Sequence, residues 1–108
     1  MAKLLFEYSF DEREQDETKA RGYLNHVKVE LNNGNRYAIV FYDYIRLGQD
    51  LEEEVKLGHK FVAEPGMIIL EEVTLANMQA AINRLEQEHY FDSLLQVKDL
   101  VPSLEKLF

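Results

Sequence analysis

The chain has 108 residues, 46% of them hydrophobic, enough for one core and too few for two. It contains no cysteine, which excludes disulfides and thiolate metal sites and fits a reducing cytoplasm. The formal net charge is -8, and residues 43–92 carry most of it, with eleven acids against four Lys/Arg. Such a surface repels phosphate backbones, so nucleic-acid binding is not expected and basic proteins are the natural partners.

The stretch before Glu7 is too short for a signal-peptide core or a membrane span, so no membrane association is expected. Residues 3–10 alternate, with Leu4, Phe6, Tyr8 and Phe10 on one face, and predict a first strand. Residues 11–22, DEREQDETKARG, are polar throughout and close on glycine, which reads as a solvated loop with at most a transient helical turn.

Residues 27–55 organise the rest. Val27, Val29 and Leu31 alternate with Lys28 and Glu30, and Asn32-Asn33-Gly34-Asn35 supplies residues that tolerate positive φ, so a hairpin is predicted. The return strand over 37–42, YAIVFY, is apolar on both faces and belongs in the middle of the sheet. Asp43 is suited to cap a following helix. Tyr44, Leu47, Leu51 and Val55 then give one apolar stripe, and Gly58 ends it. Gly48 inside this helix costs roughly 1 kcal/mol relative to alanine, while Asp50, Glu52, Glu53 and Glu54 interact favourably with the helix dipole if they fall in its first half.

Two short β-rich runs, 60–64 and 67–73, flank Pro65-Gly66, a pair suited to a type II turn, and read as a second hairpin or a bent strand. Met67, Ile68, Ile69 and Leu70 are apolar on both faces and are expected well inside the sheet. Thr74 is an N-cap for a helix carrying Leu75, Met78, Ile82 and Leu85 and ending near His89. Asp92 or Ser93 then caps a short helix buried through Leu94, Leu95, Val97 and Leu100, with a strand over 95–101 as the alternative. After Pro102, the apolar tail Leu104, Leu107 and Phe108 either folds back or buries against a second copy, and a homodimer is the reading adopted.

These elements predict one α+β domain over residues 1–108, ordered β-β-β-α-β-β-α-α, with about five strands in a twisted, largely antiparallel sheet and helices mainly on one face. No glycine-rich phosphate loop is present, and His26, His59 and His89 lack zinc spacing. Glu86 and His89 have the i, i+3 spacing of half a di-iron site, but only one copy occurs, so no metal or other cofactor is expected.

Two functional readings follow. The leading one is a non-enzymatic interaction or regulatory module that presents Asp50, Glu52, Glu53, Glu54, Glu71 and Glu72 to a basic partner. Its size, acidity and α+β pattern are shared with immunity proteins that neutralise toxins, a likeness of composition that fixes no residue. The alternative is a small enzyme or ligand-binding domain in which Asp43 and Glu64 form a carboxylate pair beside the aromatics Tyr37, Phe41, Tyr42 and Tyr44.

Overall fold

Among residues 2–94, which the computed structural model describes, the sheet grows outward from the hairpin at Asn33-Gly34. Strands β2 (Tyr23–Glu30) and β3 (Arg36–Asp43) pair antiparallel, with Glu30 opposite Arg36. The Leu31 N–H donates to the Asn35 carbonyl and the Gly34 N–H to the Leu31 carbonyl, both at 2.9 Å. The Asn33 side-chain oxygen accepts from the Asn35 N–H at 2.9 Å, the local bonding that makes asparagine a turn former.

β1 (Lys3–Phe6) adds antiparallel outside β2, with Leu4 opposite Val29. β4 (Met67–Leu70) adds on the far side of β3 and runs parallel to it, with Phe41 opposite Ile68. The order is therefore β1-β2-β3-β4, with β3 inside the sheet as its two apolar faces require.

The parallel pairing corrects the predicted topology. Residues 60–64 form no strand, so the sheet has four strands rather than about five, and it is mixed rather than largely antiparallel. A parallel neighbour cannot be reached through a hairpin and needs a crossover. Helix α2 (Tyr44–Lys56) and residues 57–66 supply it. Pro65-Gly66 does make a turn, with the Met67 N–H donating to the Glu64 carbonyl at 3.3 Å, but that turn feeds β4 instead of joining two strands. A Cβ on Gly66 would lie 2.6 Å from the Ala38 carbonyl oxygen, so only glycine lets the chain pass this close to β3. β4 is an edge strand with Ile69 half exposed, contrary to its expected place well inside.

A second correction concerns residues 11–22. Glu12–Arg21 is a helix, α1, where a loop was expected. It has no apolar stripe; its capped ends, the buried Thr18 and the bond from Gln15 to the Phe10 carbonyl hold it. The Asp11 carboxylate accepts from the Glu14 N–H at 2.9 Å, and the Gly22 N–H donates to the Thr18 carbonyl at 2.9 Å. Glu12 and Glu14 in the first turn and Lys19 and Arg21 in the last suit the dipole.

One sheet face carries the core, including Val29, Ile39, Phe41 and Ile68. α3 (Leu75–Gln87) covers it with Met78 and Ile82, after a start capped as expected by Thr74, whose Oγ1 accepts from the Asn77 N–H at 3.2 Å. The 3₁₀ turn Tyr90–Ser93 adds Phe91, stacked on Tyr37 with centroids 5.5 Å apart. α2 contributes nothing to this cluster. It lies over the opposite face, where Tyr42, alternating with Phe41, stacks on Tyr23, and Arg46 of α2 sits 4.4 Å above the Tyr23 ring. The helices thus occupy both faces rather than mainly one, a direct result of the crossover. No helix among the described residues is long and apolar enough to cross a membrane. The segment 95–101 and the tail at Leu104, Leu107 and Phe108 lie outside the described residues.

Candidate docking surface

α2 begins at Asp43, whose carboxylate accepts from the Arg46 N–H at 2.7 Å. It ends where the Gly58 N–H donates to the Val55 carbonyl at 3.1 Å and the His59 N–H to the Glu54 carbonyl at 2.8 Å. The predicted stripe has the right period and an unexpected direction. Tyr44, Leu51 and Val55 are 62, 39 and 56% exposed, whereas the half-buried positions are Arg46, Leu47, Asp50 and Glu54. An amphipathic helix ordinarily turns its apolar stripe to the core. Here a polar row at i, i+4 and i+8 faces inward, and every member has a partner.

Arg46 holds this row in place. Its guanidinium lies over the Tyr23 ring, its Nε donates to Asp50 at 3.0 Å and its Nη1 donates to the Arg21 carbonyl at 3.3 Å. Arg21 also stands over the Tyr23 ring, 5.1 Å from its centroid. Such cation–π contacts contribute on the order of 0.5–2 kcal/mol each, comparable to burying part of one aliphatic side chain. Glu54 pairs with His59 Nδ1. Beside the row, the Tyr42 hydroxyl donates to Glu64 at 2.9 Å. Burial first, and then the hydrogen bond and charge of Glu64, push the Tyr42 pKa up to about 12.

With its polar row inward, α2 leaves Tyr44, Leu51 and Val55 in water, and Leu57 and Phe61, later in the chain, are each 71% exposed. An open hollow of about 520 Å³ is lined by Gly48, Leu51, Glu52, Val55 and Lys56.

The six acids picked out from the sequence separate into groups. Asp50 and Glu54 belong to the inward row. Glu53 pairs with Lys56 at 3.4 Å, while Glu52 is exposed with no ion pair among the described residues. Glu71 and Glu72 follow Leu70, which is opposite Asp43, so they flank the start of α2, and Glu72 reaches Lys19 at 3.6 Å. Acid therefore flanks the start of the exposed stripe at Glu71 and Glu72 and stands within its second half at Glu52.

The carboxylate pair of the alternative reading has separate tasks. Asp43 caps α2 through the Arg46 N–H, and Glu64 accepts from the Tyr42 hydroxyl. The four aromatics divide likewise: Tyr37 and Phe41 lie in the core, Tyr42 on the other face and Tyr44 in solvent. Glu86 accepts from the Asn32 N–H at 2.9 Å, tying α3 to the hairpin loop. No three His, Cys, Asp or Glu residues converge among the described residues.

Another hollow, of about 310 Å³, opens beside the irregularity in β2 between Leu24 and Val27, with Tyr8, Arg21, Tyr23 and His26 in its walls. Its ionic groups largely satisfy one another. Arg21 donates to the Tyr23 carbonyl and to Thr18 Oγ1, and His26 pairs with Glu7 at 3.1 Å.

Sequence reading missed Arg46 and Tyr23. A signal was present, because Arg46, Asp50 and Glu54 repeat at the same spacing as the apolar stripe and form a second continuous face. No protein-family model, curated protein or solved structure matches the chain.

Proposed function

We propose that this protein is an interaction module that binds a basic protein partner through the outward side of α2. The orientation of α2 carries the reading. Arg46, at the head of the polar row, is held by the Tyr23 ring and the Arg21 carbonyl, so rotating the helix to bury Tyr44, Leu51 and Val55 would break those contacts. Apolar side chains left in water around an open hollow in this way are characteristic of a binding site. Burying three such side chains against a partner gains on the order of 1.5–3 kcal/mol each before ordering costs are subtracted. Glu52 and Glu53 within the second half of the stripe, with Glu71 and Glu72 beside its start, select positive charge and speed its arrival. The cysteine-free composition fits a cytoplasmic setting, and a second copy of the chain is the competing occupant.

A photo-cross-linking residue in place of Leu51, used in the native host, identifies the partner. With that partner purified, Leu51→Glu and Val55→Glu are expected to weaken binding at least about tenfold without changing the circular dichroism, and association slows several-fold from about 50 to about 500 mM salt. Unchanged affinity in both variants would place the interface elsewhere.

A further inference from the structure

Resting on that reading, we propose that the partner segment is a basic-flanked α-helix packing on α2 by knobs into holes, with one large apolar side chain seated at Gly48. The hollow on α2 supplies the first argument. Gly48, Leu51, Glu52 and Val55 stand at i, i+3, i+4 and i+7, the four corners that receive one side chain of a facing helix. Tyr44, Leu47, Gly48 and Leu51 repeat the spacing one turn earlier and share Gly48 and Leu51 with it. Two successive holes on one helix fit a periodic occupant, and an extended strand has no side-chain period to match them.

The second argument is Gly48 itself. It sits inside a thirteen-residue helix, where glycine weakens the element relative to alanine. Its φ is not positive, and a Cβ there would meet nothing within 4 Å. The fold therefore gives no reason for the missing side chain. A close-packed partner does: with one corner empty, the hole accepts a larger knob and the two helix axes come closer. The third argument is charge. Glu52 is itself a corner of the second hole with no ion pair among the described residues, Lys56 in the same hollow is offset by Glu53 at 3.4 Å, and Glu71 lies beyond the far end of the stripe, so the charge left over is negative and lysine or arginine next to the knobs completes the match.

The test uses the full chain and synthetic helical peptides about three heptads long, flanked by lysine and carrying Ala, Leu or Phe at the central knob. Fluorescence anisotropy is expected to show affinity rising about tenfold from Ala to Phe, with no binding by a glutamate-flanked or proline-broken peptide. Gly48→Ala is expected to raise the melting temperature of the free protein by a few degrees while cutting affinity for the Phe peptide about tenfold or more, two effects of opposite sign. If Leu51→Glu abolishes binding but Gly48→Ala leaves it unchanged, the docking surface stands and the knob assignment falls. If no helical peptide binds, the helix proposal is overturned, and the native partner's response to Leu51→Glu judges the surface separately. Sedimentation showing a dimer that Leu51→Glu dissociates would make a second copy the occupant. A cross-link from position 51 to residues 95–108 of the same chain would make the chain its own occupant, and either result overturns the basic helix.

Discussion

At Gly22 the backbone turns through φ 81°, and a Cβ would lie 2.7 Å from Oδ2 of Asp43. The end of α1 and the start of α2 thus occupy the same few ångströms, and the Asp43 N–H donates to the Gly22 carbonyl at 2.8 Å. Gly22→Ala therefore adds a strained left-handed residue and a clash with a capping carboxylate, and is expected to destabilise by about 1–3 kcal/mol in urea melts. A midpoint unchanged from wild type would mean that the junction yields freely. Tyr42 makes a second residue-level prediction. Folded, it keeps its proton to about 12, whereas the unfolded side chain releases it near 10.0. Between those values the folded state binds more protons, so stability falls as pH rises through this window, and Tyr42 adds no pH dependence below it. Tyr42→Phe should remove that part of the alkaline decline, which urea midpoints measured from about pH 9 to about pH 12 will show.

Elements were legible in the sequence where period and punctuation agreed. The Asn33-Gly34 turn, the Asp43 and Thr74 caps and the stripe of α3 were all read correctly, because each rests on chemistry within a few residues. α1 escaped because nine of its ten residues are polar and give no apolar period; Asp11, Gly22 and the acid-to-base order of its charges were its signals, and glycine also ends loops. β4 was misread because Met67–Leu70 looks the same whether it is reached by a hairpin or by a crossover, and the choice depends on where α2 travels. For α2 the period was right and the inward side wrong. Hydrophobicity alone turns Leu51 and Val55 inward, but the ring of Tyr23, twenty-three residues before Arg46, turns the helix the other way. The six acids are visible one by one in the sequence, yet where Glu71 and Glu72 lie relative to α2 depends on the parallel register of β3 and β4.

For the molecule as a whole, the sheet is unequal in strength. β2 and β3 are eight residues each and joined by a tight turn, whereas β4 is held by four residues on one side only, across the crossover. Contacts that close a long connection form late and open early. Native-state hydrogen exchange should find the Val40 amide, which donates to the Gly66 carbonyl at 3.1 Å, exchanging through a lower-energy opening than the amides of Val29. Equal protection would show that the four strands open together. The opening also has a colloidal consequence. When β4 lifts, it bares the edge of β3, whose residues 37–42 are almost all buried and carry no charge, a segment of the kind that templates fibrils. Arg36 and Asp43 at its two ends act as gatekeepers. Aggregation under mild heating should therefore depend on how firmly four residues of β4 stay in place, so that one short edge strand guards the solubility of the whole chain.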